Sequence, residues 1–350
     1  MQSRQFVTPG RTIGQDTFSY VIAEIGNNHQ GSVETCIEML KAAKAAGADA
    51  AKLQKRNNYE IFTKDAYNAV YNSENAFADT YGAHRDFLEF DECEYKDLFV
   101  ASEDIGITLF ATAFDISSAD FLEKIGCPMY KIASGDLRSA PLIEHVANFG
   151  KPMIISTGGA NFDLVEKVYQ NVMAINNNVC FLQCTAAYPC EPEDMNLGVI
   201  PEYMRRLPKA VIGLSSHDNG ICLPIVAQTL GARVFEKHFT LNRTWKGTDH
   251  AFSLTPDAIR KLVRDLGRAK VSIGDGEKIG LPVEEQAIKK MGKKIVLAKD
   301  ITAGTVITEA LLAYKSPGDG LFPDQLGQVI GRSVKTNMKK DQSLSMELLE

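Results

Sequence analysis

Two histidines and two lysines set the chemical problem. His217 in GLSSHDNG and His238 in FEKHFT each follow or end a short apolar run. If those runs are neighbouring strands, the two imidazoles suit a borderline divalent ion, Mn2+ first, with Mg2+, Co2+ or Zn2+ as alternatives, and Glu24 and Asp249 nearby. Taken singly, either histidine reads as an ordinary hydrogen-bonded residue. Lys52 in AAKLQ and Lys131 in MYKIAS lie inside apolar runs, where an ammonium is costly without a partner. With hydroxyls from Thr112, Ser134, Ser156, Thr157, Thr185 and Ser215, they suit an anion whose oxygens need many donors, a phosphate or a carboxylate. Lys131 has a second reading, as a Schiff-base amine whose pKa desolvation would lower.

Gln54 and Glu236 also end apolar runs, and His29 and His250 lie in loops from which they could bind substrate. Tyr188 and the TWKGTDHAFSL segment offer aromatic and hydrogen-bonding groups that could orient a polyhydroxylated ligand. Trp245 within it reads equally as a packing lid or a sugar platform. Cys184 and Cys190 lack an adjacent base and receive no catalytic role.

Such residues can meet only if the elements carrying them converge. Eight short runs recur, at 20–25, 50–54, 107–112, 129–134, 152–157, 179–185, 210–215 and 233–239, most followed by helical periodicity. That alternation predicts parallel strands with crossover helices, and the count fits a closed (β/α)8 barrel. In such a barrel the C-terminal strand ends form the active face, where nearly every run here ends in a polar residue. Ser32 is a helix-cap candidate, and Gly47, Gly106 and Gly126 are stop signals. The long insertion after the second run suggests a structured, functional loop. FVTPGRTIGQDTFS reads as a hairpin plugging the barrel bottom.

The division expected is a barrel over 1–274, a polar linker over 275–292 and a small, turn-rich β domain over 293–350. A net charge of −6 disfavours a nucleic-acid or anionic-membrane surface. The first residues lack a signal-peptide core and no apolar run reaches bilayer length, so a cytoplasmic protein is expected. Seven cysteines, an odd number without a close CxxC pair, indicate reduced structural thiols.

Read in order, AEIGNNHQG, GADAAKLQ, TAFD, YKIASGD, STGG, QCTAAYP, IGLSSHD, EKHFT and GTDHAFSL resemble the sialic acid synthase family. The last segment resembles the type III antifreeze-like (SAF) domain that ends those synthases. The resemblance implies condensation of phosphoenolpyruvate with an open-chain, N-acylated hexosamine aldehyde, giving a nonulosonic acid and phosphate by C–O cleavage with a divalent metal, Mn2+ first. It implies phosphoenolpyruvate on Lys52, Thr112, Lys131, Ser134, Ser156 and Ser215, and the metal on His217 and His238. It places the sugar on Gln54, Tyr188 and Asp249, and acid–base chemistry on Glu24, with Asp249 a second catalytic candidate. It also implies a homodimer that exchanges its C-terminal domains, without nucleic-acid or membrane partners.

The chain departs from that pattern on the sugar side. YKSPGDG has Ser316 where the family has an arginine that contacts the N-acyl group, and Lys315 lacks an arginine's planar fork. Ala186 and Ser216 also differ from the usual residues. These changes point to an unusual acceptor rather than lost catalysis. The rival readings are a Schiff-base pyruvate aldolase using Lys131 and a non-catalytic sugar-binding protein.

Overall fold

In the computed structural model, which describes residues 4–350, the eight runs pair in order into a closed parallel barrel. Two strands precede it, β1 (Gln5–Val7) and β2 (Thr12–Gly14). The barrel strands are β3 (Tyr20–Gly26), β4 (Ala50–Lys55), β5 (Thr108–Ala113), β6 (Tyr130–Ile132), β7 (Met153–Ser156), β8 (Val179–Cys184), β9 (Val211–Ser216) and β10 (Val234–His238). They are buried along nearly their whole length, as expected of strands covered on both faces, so they read as apolar runs rather than alternating patterns.

Register sets the height of each polar side chain. Glu24 pairs with Lys52 on one side and His238 on the other, and Thr112 lies between Gln54 and Lys131. The β3–β4 ladder shifts between Glu24 and Gly26, a bulge beside the polar cluster.

The helices form where capping chemistry permits. Ser32 accepts from Thr35 N to open the helix Val33–Ala45. Asp91 and Glu94 cap each other's backbone at the start of Glu92–Ile105, which stops at Gly106 with φ of 74°. The insertion over 56–90 carries three short helices, Asn58–Ile61, Lys64–Asn68 and Tyr81–Phe87, held by ring contacts among Tyr71, Phe77, Tyr81, His84 and Phe87.

The expected N-terminal hairpin is present, with β1 and β2 antiparallel and Phe6 and Ile13 fully buried in the barrel core. Val7 N donates to Asn178 Oδ1 at 2.8 Å and Arg11 Nε to Asp49 Oδ1 at 2.9 Å. Asn178 and Asp49 lead into β8 and β4, which stand opposite each other in the eight-stranded ring, so the hairpin spans the floor.

The chain divides into two compact units, the first ending at Ile273 and the second running Gly274–Glu350. The second pairs β11 (Lys294–Leu297) with β12 (Leu312–Lys315) and has its own core, including Ile295, Leu297, Ile307, Val329 and Leu344. The segment read as a polar linker differs from expectation. It forms the helix Glu285–Met291, whose Lys289 carbonyl accepts from Gly318 N, so it belongs to the second unit. Good helix formers outweighed the missing apolar stripe. Among the described residues no helix is long and apolar enough to cross a membrane.

Candidate active site

A cavity of about 580 Å³ opens at the C-terminal ends of the barrel strands. Glu24, Lys52, Gln54, Thr112, Lys131, Ser134, Ser156, Tyr188, Ser215, His217, His238 and Asp249 all line it, so the residues to which the family resemblance gives roles meet at one mouth.

Its floor is a charged network. Lys52 Nζ lies 2.7 Å from Glu24 Oε2 and donates to Thr112 Oγ1 at 2.7 Å. Lys131 Nζ donates to Ser156 Oγ at 2.6 Å and to Ile132 O at 2.9 Å. Between the lysines stands Glu236, with Oε1 3.8 Å from Lys52 Nζ and 4.0 Å from Lys131 Nζ, accepting also from Ser215 Oγ. Burial opposes ionisation of Glu236, yet Lys131, Lys52 and the two imidazoles together hold its carboxyl below the ordinary range. Burial pushes the Lys131 ammonium down, against the pull of Glu236.

Glu24 is fixed from both sides, since Gln54 Nε2 donates to its Oε1 at 2.9 Å, and Arg56 in turn donates to Gln54 Oε1. Gly26, at φ of 55°, makes this possible. A Cβ there would stand 3.2 Å from Gln54 Nε2 and 3.3 Å from Glu24 Oε1. At the opposite wall Gly158 N donates to Ser134 Oγ, and a Cβ on Gly158 would collide with that hydroxyl.

The His217 and His238 ring centroids are 5.4 Å apart. His217 Nδ1 is hydrogen-bonded to Thr185 O at 3.1 Å, leaving Nε2 for a ligand. Burial and then the neighbouring His238 lower the His217 pKa to about 4, so the ring is neutral at pH 7, the form that binds metal. His238 Nδ1 and Glu236 Oε2 are buried without hydrogen-bond partners, and Asp249 Oδ2 lies 3.7 Å from that Nδ1. Two imidazoles flanked by unpartnered acceptors fit a divalent ion whose remaining shell comes from water or substrate. Among the described residues no three His, Cys, Asp or Glu side chains form a ready-made cage. The Tyr188 ring lies 4.0 Å from that of His217, tilted by 39°, and is exposed.

Several other expectations need correction. His29 is buried against Phe90, with Nδ1 accepting from Gly31 N, and His250 Nδ1 is bonded to Thr240 Oγ1; neither lines the cavity. Trp245 packs edge-on against His250, outside the cavity. Thr157 donates to Leu182 O and Thr185 to Asp194 O, so both hydroxyls are structural. Lys315, considered as a stand-in for the missing arginine, is paired with Asp341, and Ser316 donates to Met291 O. Conversely Arg56, Arg85, Phe114 and Asp136 line the cavity without having been singled out. Arg56 follows the strand-end LQK, a signal that could have been read; Arg85 sits on an insertion helix with no local sign of its direction.

The barrel and its polar mouth define a strand-end site whose lysines and hydroxyls suit a small anion. Comparison with known proteins narrows that reading. Residues 39–278 match the NeuB family and residues 294–350 the SAF domain. The chain is 38% identical to N-acetylneuraminate-9-phosphate synthase of Homo sapiens, covering 98% of this chain and 96% of that one. It is 31% identical to N,N'-diacetyllegionaminic acid synthase of Legionella pneumophila, with 96% of each chain covered. Among solved structures, N-acetylneuraminic acid synthetase of Leptospira borgpetersenii, in complex with citrate, superposes with a TM-score of 0.72 at 30% identity, over 82% of this chain and 95% of that one. The chain therefore belongs to the NeuB family.

Proposed function

We propose that this protein condenses phosphoenolpyruvate with the open-chain aldehyde of an N-acylated amino sugar, giving a nonulosonic acid and inorganic phosphate. The observation that carries this reading is the pair of buried lysines, Lys52 and Lys131, on either side of Glu236 and surrounded by Thr112, Ser134, Ser156 and Ser215. That donor density matches a three-carbon molecule bearing both carboxylate and phosphate. The synthase names of relatives in the family agree with it.

Lys52, Lys131 and the hydroxyls hold the donor with its C3 toward the sugar side of the cavity, where Gln54, Tyr188 and Asp249 orient the acceptor. A C–C bond forms from C3 to the aldehyde carbon as the carbonyl electrons move to oxygen, which takes up a proton to become a hydroxyl. Water then adds to C2 and gives up a proton, and the C2–O bond breaks to release phosphate. Glu24, fixed by Lys52 and Gln54, is placed to manage these protons. His217 and His238 would hold a divalent metal, Mn2+ by preference, which would supply Lewis-acid polarisation of the aldehyde.

The test is phosphate release from phosphoenolpyruvate against a panel of mannosamine and diacetamido-dideoxyhexose acceptors. Release that depends on acceptor supports the synthase; borohydride trapping of pyruvate on Lys131 without phosphate release supports the aldolase instead. We also propose a homodimer, supported by the exposed Ile279, Leu281, Val283, Ile288 and Met291 of the second unit, and checked by sedimentation. A cytoplasmic site of action, supported by seven unpaired thiols, is checked by cell fractionation.

A further inference from the structure

His217 and His238 enter the cavity from the ends of neighbouring strands, yet the ladder between those strands stops short of them. The last pair of β9 with β10 is Ser216 with Lys237, one residue before each histidine. Beyond it the two segments are anchored to other neighbours. His238 pairs with Glu24 of β3 and its carbonyl accepts from Leu254 N at 2.8 Å. His217 O accepts from Cys190 N at 3.2 Å, and its Nδ1 is bonded to Thr185 O. Backbone pairing between β9 and β10 therefore leaves the separation of the two imidazoles unset.

A buried ion pair crosses that gap. Lys237 Nζ donates to Asp218 Oδ1 at 2.8 Å and to Asp218 O at 2.7 Å, with both side chains almost wholly withdrawn from solvent. Asp218 is the residue after His217 and Lys237 the residue before His238, so a single side chain joins the two histidine-bearing segments. Glu236 and His238 line the cavity whereas Lys237 and Asp218 do not, as alternation along a strand requires, so the pair stands behind the site. A further polar tie between the same loops, Arg243 Nη2 to Asn219 Oδ1 at 3.1 Å, is exposed.

Stability is a poor reason for such a pair. Withdrawing two charges from water costs about as much as their attraction returns, and well-packed apolar side chains do as well or better. What an apolar contact cannot do is fix, through directed bonds to a carboxylate and a carbonyl of one residue, where the chain leaving β9 lies against β10. Resting on the metal reading above, we infer that Lys237 and Asp218 are positioning residues that set the separation of His217 and His238, and with it the affinity for the divalent ion.

The experiment measures Mn2+ affinity, from the electron paramagnetic signal of the free ion, and phosphoenolpyruvate affinity, by calorimetry without metal. The proteins are the full-length wild type, the double variant Lys237→Met with Asp218→Leu, and Arg243→Ala. Removing both charges together leaves neither stranded in the interior. The double variant should bind Mn2+ about 10- to 100-fold more weakly, the usual scale for groups that orient metal ligands from behind, while its phosphoenolpyruvate affinity stays unchanged. R243A should leave both affinities unchanged. Wild-type Mn2+ affinity in the double variant, equal losses of metal and donor affinity, or an equal loss in R243A would overturn the brace. If denaturant titration shows that the double variant does not fold, Asp218→Asn decides by the same two readouts. A wild type that binds no Mn2+ fails the metal reading and the brace with it, whereas a wild type and a double variant that bind it equally well remove the brace alone.

Discussion

Glu24 and Lys52 face each other across the β3–β4 ladder with Oε2 and Nζ 2.7 Å apart, both almost wholly withdrawn from solvent. Gln54 holds the other oxygen of the same carboxylate, so Glu24 has a fixed direction before any substrate arrives. Removing its charge while keeping its shape tests what that direction is for. Glu24→Gln should lower kcat by at least about a hundredfold, the usual scale of positioned acid–base catalysis, while calorimetric affinity for phosphoenolpyruvate changes little. Unchanged turnover would remove Glu24 from the mechanism.

Lys131 and Glu236 test whether the floor is a balanced set of charges. Lys131→Met leaves Glu236 with one lysine fewer in a site that burial already makes hostile to charge. A loss of about 3 kcal/mol in unfolding free energy is expected. Adding Glu236→Gln should restore part of that stability in denaturant titration, though not donor binding. A double variant no more stable than the single one would show that the two charges are not coupled.

His217 and His238 predict the response to chelation. Treatment with EDTA should abolish phosphate release, and Mn2+ should restore it. His217→Ala and His238→Ala should each weaken Mn2+ binding, read by the electron paramagnetic signal of the free ion. Full activity after exhaustive chelation would remove the metal from the reaction.

Asp136 predicts a pH effect on stability. Burial, opposed by Arg56 and Lys131, raises its carboxyl from 3.8 to about 6. The folded state therefore keeps a proton that the unfolded chain loses, a cost fully present above pH 6 and fading as pH falls toward 3.8. Asp136→Asn should accordingly be more stable than wild type at pH 7.5, by up to about 2 kcal/mol, and nearly equal to it at pH 4. A difference that does not vary with pH would show that Asp136 titrates normally.

Gly26→Ala places a Cβ against Gln54 and Glu24 at a backbone angle that alanine rarely adopts. A stability loss of about 1 to 2 kcal/mol should accompany a fall in kcat. Wild-type kcat in that variant would mean the two side chains tolerate displacement.

The barrel was legible because all eight strands are apolar and separated by recognisable helix stops, and the lysines and histidines because a charge inside such a run has few structural uses. Thr157 and Thr185 were misjudged for a reason that alternation explains. Ser156 and Cys184 line the cavity, so the next residue along each chain turns away from it. Glu236 was seen as a strand end, but its place between two lysines depends on barrel closure, which joins strands far apart in sequence. Arg85 was hidden altogether. The insertion that carries it has no repeating apolar pattern, and the direction of its short helix is set by aromatic contacts that no local spacing reveals.

The hairpin across the barrel floor has a kinetic meaning. With Phe6 and Ile13 stopping that end, traffic is single-ended: whatever sits lowest must enter first and depart last along the same passage. The lysines are almost wholly buried whereas Tyr188 is exposed and Arg85 half-buried, so any molecule the lysines hold must pass that lip, and no back door through the floor lets it out.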